Sequence, residues 1–156
     1  MLPDKDEKEK ARACAFRLLK FRLRSEQEIR DKLSQEEYAK GVIDETLESL
    51  KESGLVDDET FARLWVETRM KRPLGRNRLR RELKKKGVDD KWIEAALERA
   101  CQGYDEKEVV RDLVRQKMKR MHSLETDKTK ARLFGYLVRR GFPQNLVVET
   151  ILEEIR

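Results

Sequence analysis

A dense run of basic side chains between residues 69 and 86 is the feature of this sequence with the clearest chemistry. It contains ten Lys and Arg residues, and Glu82 is the only acidic residue among them. Guanidinium groups form paired hydrogen bonds to phosphate and carboxylate oxygens, and ammonium groups bind the same anions as point charges. The run therefore predicts a surface that binds phosphates or an acidic protein groove. The alternative is a solvated helix face whose last lysines favour the negative end of the helix dipole.

A predicted helix over residues 76–86 positions most of these groups. Leu79 and Leu83, four residues apart, mark its buried side. Arg81 points almost directly away from both leucines. The flanking cations are Arg78 and Lys85 on one side and Arg80 and Lys84 on the other. One helix is thus expected to present a cationic ridge.

A second group of arginines, Arg132, Arg139 and Arg140, repeats the pattern near the C-terminal end. Nearby, Phe134 and Tyr136 flank the apolar side of their helix and are candidates for a base-stacking or partner contact. The full predicted binding set is Arg69, Arg72, Arg76, Arg78, Arg80, Arg81, Lys84, Lys85, Arg132, Arg139 and Arg140. Arginines are preferred over lysines in this set because their planar fork fits phosphate and carboxylate groups.

Catalytic and metal-binding patterns are not found in the sequence. His122 is the only histidine, lies in a predicted connection, and has no recognisable nucleophile or carboxylate partner. Cys14 and Cys101 are far apart and have no further ligands at metal-binding spacing, which favours packing in a reducing compartment. We therefore expect no catalytic residues, no metal and no cofactor, and the protein is predicted not to be an enzyme.

Composition favours an all-helical protein of moderate positive charge. Charged residues make up 44% of the 156 residues, whereas Gly and Pro together number only ten. The net charge of +6 is uneven, because residues 1–54 carry −1, residues 55–103 carry +4 and residues 104–156 carry +3. No apolar run is long enough for a membrane span and no secretory signal is recognisable, so a cytoplasmic location is expected.

Apolar spacing of three and four residues predicts nine helices, and period-two alternation is absent. The predicted helices span residues 5–23, 26–38, 41–53, 58–71, 76–86, 90–101, 106–121, 128–140 and 143–155. Predicted helix starts are Ser25, Asp57, Asp89, Asp105 and Asp127, and predicted closing glycines are Gly54, Gly87 and Gly141. Pro143 suits the first turn of the last helix.

The helices also repeat in groups of three. Shifting the sequence by 50 places Ile29 on Leu79 and Leu33 on Leu83, and a further shift of 54 reaches Leu133 and Leu137. Three copies with a period near fifty residues predict tandem three-helix repeats, which we expect to form an elongated, curved array. The predicted domains are residues 1–54, 55–103 and 104–156. The first copy differs, since Glu37 stands where the others have the closing glycine.

Three segments resemble the RecX family of bacterial regulatory proteins. Residues 50–62, LKESGLVDDETFA, are similar to the junction between the first and second units of that family. Residues 75–88, GRNRLRRELKKKGV, are similar to its central helix and closing glycine, and residues 93–97, IEAAL, also fit. The resemblance covers residues 10–155 and is most specific in the middle unit.

The resemblance implies a partner and an activity. RecX proteins bind the RecA recombinase, so this chain is expected to dock as a monomer in the groove of the RecA filament on single-stranded DNA. It would inhibit strand exchange and coprotease activity, by blocking filament growth or promoting disassembly. Direct contact between this chain and single- or double-stranded DNA is left open as a further interaction. The alternative is a general DNA-binding protein whose units act like helix-turn-helix modules without RecA, although its helices carry few Asn or Gln for base readout.

Overall fold

The protein is all-helical in the part of the chain that the structure, a computed structural model, describes, namely residues 4–121 and 126–155. Its nine helices are α1 (Lys5–Phe21), α2 (Glu26–Gln35), α3 (Lys40–Glu52), α4 (Asp58–Arg69), α5 (Arg76–Lys85), α6 (Asp90–Ala100), α7 (Glu106–Arg120), α8 (Thr126–Arg139) and α9 (Gln144–Glu154). The predicted all-α class is confirmed, and every predicted helix is present with ends displaced by a few residues at most. His122 and its predicted connection lie outside the described residues.

Most of the predicted helix starts are confirmed by side-chain caps. Ser25 accepts the N–H of Glu28 while Glu28 accepts the N–H of Ser25, which completes a capping box at α2. Asp57 accepts two N–H groups of the first turn of α4, and Asp89 accepts one at α6. Asp105 caps α7 in the same way. These carboxylates satisfy amide groups that a helix start leaves without partners.

Two predicted starts are wrong by one or two residues. Helix α8 begins at Thr126, so Asp127 lies in its first turn and does not cap it. Helix α9 begins at Gln144, and Pro143 is its N-cap with an extended ψ of 136°. Both residues still suit their positions, because a carboxylate in a first turn interacts favourably with the helix dipole and proline lacks the N–H that would need a partner.

The chain divides into two compact units. The N-terminal unit comprises residues 1–65 and 83–96, and the C-terminal unit comprises residues 66–82 and 97–156. In the N-terminal unit, α1, α2 and α3 pack around one apolar core. Ile29, Leu33 and Leu50 are completely buried there. The division into three domains at residues 54 and 103 remains a prediction.

The C-terminal unit has a core of the same kind, built from α7, α8 and α9. Leu133 and Leu137, which correspond to Ile29 and Leu33 of the first repeat, are 1% and 0% exposed. Phe142 follows α8 and fills this core at 1% exposure. Burying such side chains stabilises the fold by about 2 kcal/mol each, so the repeated apolar positions contribute strongly to the stability of each core.

Gly87 and Gly141, the closing glycines that correspond to Glu37 of the first repeat, mark close contacts. Gly87 and Gly141 have φ angles of 72° and 94°, in the left-handed region. A Cβ on Gly87 would lie 2.4 Å from the Cβ of Gln27, and one on Gly141 would lie 2.3 Å from the backbone nitrogen of Arg78. Glu37 has the same left-handed backbone, with φ 63°, but is exposed. Because this side chain is exposed, the cost of a residue other than glycine here is limited to the strain of the left-handed backbone.

The aromatic residues divide between core and surface. Phe61 is 4% exposed and stacks on half-buried Trp65 with ring centroids 5.8 Å apart, and Trp92 is also half-buried. Phe16 has the helical spacing of a core residue, but it is 41% exposed, and the guanidinium of Arg12 lies over its ring. The small residues Ala11 and Ala15 occupy the buried face of α1 instead. None of the helices in the described part of the chain combines the length and apolar character that a membrane span requires.

Candidate partner-binding surface

Helix α5 presents the exposed end of the predicted cationic ridge. Arg81 is exposed and forms no hydrogen bond or ion pair with any described residue. Lys84 and Lys85 lie exposed in the last turn of α5, where positive charge favours the helix dipole. Lys84 lies 3.5 Å from Asp90, an exposed pair that leaves its charge largely accessible to a partner.

Glu82 neutralises two of the predicted binding residues. Arg69 donates from Nε and Nη2 to the two oxygens of Glu82, at 3.1 and 2.7 Å. Arg78 donates from Nε to Oε1 of the same carboxylate, at 3.2 Å. The hydrogen bond to Glu82 raises the pKa of Arg69 against the opposing effect of burial. Arg69 and Arg78 are thus engaged within the C-terminal unit, whereas the sequence pattern treated them as free cations.

Arg76 and Arg80 also have local contacts. Arg80 donates to the side-chain oxygen of Asn77 at 2.9 Å. The backbone N–H of Arg76 is accepted by Glu106 at 3.0 Å, and its guanidinium lies beside Cys101. Burial raises the pKa of the Cys101 thiol against the opposing effect of this guanidinium, so the thiol stays protonated at neutral pH. These two arginines are partly occupied in holding the start of α5.

Three further predicted arginines are exposed and have no acidic partner among the described residues. The side chains of Arg72, Arg132 and Arg139 form no hydrogen bond or ion pair with any of the described residues. The guanidinium of Arg139 lies over Gly135, one turn earlier on α8, where a Cβ would approach it to 3.0 Å. Together with Arg81, these side chains are the members of the predicted set best able to bind an external anion.

Arg140 has a different environment, on the ring of Tyr136. Its guanidinium carbon lies 5.0 Å from the ring centroid, and Nη1 donates to the carbonyl oxygen of Pro73 at 2.9 Å. The ammonium nitrogen of Lys117 lies 4.4 Å from the same centroid. A small cleft of about 230 Å³ adjoins this group and is lined by Leu113, Gln116, Lys117, Arg120, Tyr136 and Arg140.

Lys117 and Arg120 were missed by the sequence reasoning, although a signal was present. Lys117 follows the buried Leu113 by four residues, and Arg120 follows it by seven, so all three share one face of α7. Tyr136 was a candidate for a base-stacking or partner contact from its position beside the apolar side of its helix, and its ring is half-buried in the structure. What the spacing did not indicate is that one ring would bring together Lys117 of α7 and Arg140, which follows α8.

The opposite side of α7 is compensated by α9. Lys107 forms ion pairs with Glu149 and Glu153 at 2.7 and 3.0 Å. Arg111 pairs with Glu108, Glu153 and Glu154, and Arg115 pairs with Glu154 at 2.8 Å. These contacts explain how α7 carries many cations without self-repulsion along that side. In the described ranges, no group of three or more His, Cys, Asp or Glu side chains is placed to hold a metal ion.

Comparison with known proteins gives a consistent result over the whole chain. Family models of the first, second and third three-helix domains of RecX match residues 11–50, 57–97 and 105–151. The chain is 34% identical to the regulatory protein RecX of Amycolatopsis mediterranei, covering 99% of this chain and 89% of that protein. It is 37% identical to the corresponding protein of Streptomyces lividans, covering 97% and 82%. The crystal structure of RecX from Lactobacillus salivarius superposes with a TM-score of 0.81 at 25% identity, covering 96% and 97%.

Proposed function

Because this chain belongs to the RecX family of regulatory proteins, we propose that it binds the RecA filament on single-stranded DNA and inhibits it. Docking in the filament groove would restrain recombinase and coprotease activity. The curated relatives are named as regulatory proteins, which agrees with a binding role rather than a catalytic one. The proposal places the protein in the cytoplasm, as a monomer, with the recombinase and its DNA.

One observation supports the choice of surface. Arg72, Arg81, Arg132 and Arg139 are exposed in the C-terminal unit without a carboxylate partner among the described residues. Elsewhere in the same unit, basic side chains such as Arg69 and Arg115 pair with acidic ones. Uncompensated guanidinium groups favour an acidic protein groove or a phosphate backbone, and the filament offers both.

The pairing of Arg69 and Arg78 with Glu82 changes which residues are expected to contribute most. Binding an external anion through either of them requires competition with an existing charge-assisted hydrogen bond. Arg81, Arg72 and Arg132 need no such exchange. We therefore propose that these three carry more of the binding energy than Arg69 and Arg78, and that several modest contacts act together along the filament.

The test is a pair of charge-reversal variants that change the net charge equally. Arg72→Glu/Arg81→Glu alters the proposed surface, and Arg17→Glu/Lys20→Glu alters exposed cations of the N-terminal unit. RecA-dependent ATP hydrolysis on single-stranded DNA is measured over a titration of each variant. We expect the first variant to need a roughly tenfold higher concentration for half-inhibition, and the control to act like the wild type.

Circular dichroism and urea unfolding check that both variants remain folded. Equal loss of inhibition in the two variants would mean that only net charge matters, and full inhibition by Arg72→Glu/Arg81→Glu would remove this surface from the proposal. If the wild type does not inhibit RecA but binds duplex DNA with steep salt dependence, the general DNA-binding alternative is correct.

A further inference from the structure

We infer that the cleft beside Tyr136 is a binding site for the backbone and bases of single-stranded nucleic acid. Helix α7 contributes Lys117 and Arg120, α8 contributes Tyr136, and Arg140 follows directly after the end of α8. All of these residues belong to the C-terminal unit. The inference deepens the proposed function by assigning a DNA-contacting site to that unit, and it rests on features that do not involve the recombinase.

Positive charge is concentrated around the cleft, and no described carboxylate compensates it. Of the six described side chains that line it, three are cationic and none is a carboxylate. Lys117 and Arg140 are held against the same ring, at 4.4 and 5.0 Å from its centroid. Both cations lie beside one ring with no described carboxylate at the cleft, so a bound phosphate would gain from two positive charges at once.

The two sides of α7 show that this lack of compensation is local. Toward α9, Lys107, Arg111 and Arg115 all pair with glutamates. Toward α8, Lys117 and Arg120 have no ion pair with a described residue. Among the described residues, the cations of this helix are thus neutralised on the side of α9 and not on the side of α8.

Arg140 is held in place without losing its charge. Its Nη1 donates to the carbonyl oxygen of Pro73, a neutral acceptor, and its guanidinium lies against the ring of Tyr136. Both contacts restrict the side chain while leaving further N–H donors for an anion. A preorganised donor gains affinity because less conformational freedom is lost on binding.

The aromatic ring favours nucleic acid over an acidic peptide. Single-strand binding sites combine a basic groove with aromatic side chains on which bases stack, and every base has a face for this contact. Gln116 adds a side-chain amide that can donate to or accept from a base edge. A carboxylate of a protein partner would use the cations and could accept from the Gln116 amide, but it would leave the face of Tyr136 unused. A duplex would also leave the ring unused, because its bases are already stacked.

The experiment uses the full-length protein and a fluorescein-labelled oligodeoxythymidine, with no RecA present. Lys117→Ala/Arg120→Ala removes two cations of the cleft and leaves Arg140 in place. Lys119→Ala/Lys130→Ala is the matched control, because it removes two cations of the same unit that do not line the cleft. Fluorescence anisotropy gives the dissociation constant at several salt concentrations.

We expect the cleft variant to bind the oligonucleotide roughly tenfold more weakly, and the slope of log K against log salt to become shallower by about 1.4, the value for two lost phosphate contacts. The control should retain the wild-type slope to within about half of that change. Equal weakening by both variants, or no binding by the wild type, would overturn the inference. Poly-glutamate that competes as well as unlabelled oligonucleotide would also overturn it, in favour of an acidic protein ligand.

Substitution of the ring tests the stacking contact. Tyr136→Phe keeps an aromatic face and should bind like the wild type, whereas Tyr136→Leu should bind roughly tenfold more weakly. Equal affinities for Phe and Leu would rule out stacking. Filament inhibition by the same variants separates the two proposals, because inhibition that persists without oligonucleotide binding leaves the proposed function intact and removes only this site.

Discussion

The two compact units of this protein have opposite charge balance although they share the same helical architecture. The N-terminal unit contains 17 basic and 19 acidic residues, whereas the C-terminal unit contains 20 basic and 12 acidic residues. Their net charges are therefore −2 and +8. Apolar positions at the same spacing build the core in each unit. The fold leaves the charged positions free to vary, and these positions differ between the two units.

One cleft in each unit shows the same contrast in charge. A cleft of about 620 Å³ in the N-terminal unit is lined by Glu26, Asp57, Asp58 and Asp89, together with two lysines. The smaller cleft beside Tyr136 in the C-terminal unit has three cations and no described carboxylate. In the N-terminal unit the carboxylates are used for folding, since Asp57, Asp58 and Asp89 all accept backbone N–H groups near helix starts. The carboxylates at the first cleft therefore serve helix capping, whereas the described lining of the second cleft keeps an excess of positive charge.

The largest expected effect concerns backbone packing in the C-terminal unit. A Cβ on Gly75 would lie 2.2 Å from the carbonyl carbon of Gly141, and Gly75 donates its N–H to the carbonyl of Arg140. Gly75→Ala must displace the backbone, so we expect the free energy of unfolding to fall by about 3 kcal/mol. In the N-terminal unit, Gly54→Ala meets no atom within 4 Å and should cost only about 1 kcal/mol, from its φ of 73°.

Urea unfolding followed by circular dichroism measures both variants. The contrast depends on the difference between a steric clash with backbone and a purely conformational cost. Similar destabilisation of the two variants would show that the close approach at Gly75 relaxes easily.

A large electrostatic effect is expected in the N-terminal unit, at Glu28. Burial alone would raise its pKa, but hydrogen bonds from Arg22 and Lys86, at 2.6 and 2.7 Å, and from the N–H of Ser25 lower it to about 2. Because the pKa is lowered from 4.5, the stabilisation is complete above that pH and is lost as the pH falls toward about 2. Glu28→Gln should therefore lower the free energy of unfolding at pH 7 by up to roughly 3 kcal/mol.

The same substitution should also remove the corresponding part of the acid-induced loss of stability. Glu149→Gln is the matched control from the C-terminal unit, because its pair with Lys107 is largely exposed. Urea unfolding at several pH values between 2 and 7 gives both results. If the control changes stability as much as Glu28→Gln, the buried network has no special weight.

A medium effect is expected at Glu82, where stability and binding should change in opposite directions. Glu82→Gln removes the negative charge that holds Arg69 and Arg78. We expect a loss of about 2 kcal/mol in the free energy of unfolding, from weakened charge-assisted hydrogen bonds. The released guanidinium groups should lower the concentration for half-inhibition of the RecA filament, roughly threefold.

Glu98→Gln makes the same charge change on an exposed residue of the C-terminal unit. If it strengthens inhibition as much as Glu82→Gln does, the gain comes from net charge and not from the release of arginines. ATP hydrolysis by RecA on single-stranded DNA provides the measurement, and urea unfolding gives the stabilities.

The smallest expected effect is a gain in stability at Glu37 in the N-terminal unit. This residue has a φ of 63°, and its side chain is exposed. Glu37→Gly relieves the left-handed strain and should raise the free energy of unfolding by roughly 0.5–1 kcal/mol. Glu36→Gly, at an ordinary φ of −80°, is the control and should not stabilise. A loss of stability in Glu37→Gly would mean that the side chain makes a contribution beyond its backbone conformation.

The fold was largely predictable from the sequence because its determinants are local and repeated. Leu79, Leu83, Leu133 and Leu137 were placed in the core by spacing alone, and all four are 0–1% exposed. The errors arose where local signals compete. Phe16 has core-like spacing, but α1 buries Ala11 and Ala15 and leaves Phe16 41% exposed.

The candidate site was less predictable, because a cation's availability depends on its neighbours in space. Arg69 and Arg81 are equivalent in a count of basic residues, yet one is held by Glu82, which lies 13 positions further along the chain, and the other is free of described partners. Likewise, Lys117 and Arg140 are separated by more than a helix in sequence and lie against the same ring.

The sequence by itself determined the helical class, the threefold repeat and the membership of the RecX family, because apolar periodicity, caps and family motifs are all encoded at short range. Only the tertiary structure decided which cations are neutralised and which converge on Tyr136. Ion pairs and cation–aromatic contacts act over a few ångströms, and only packing brings groups from different helices within that range.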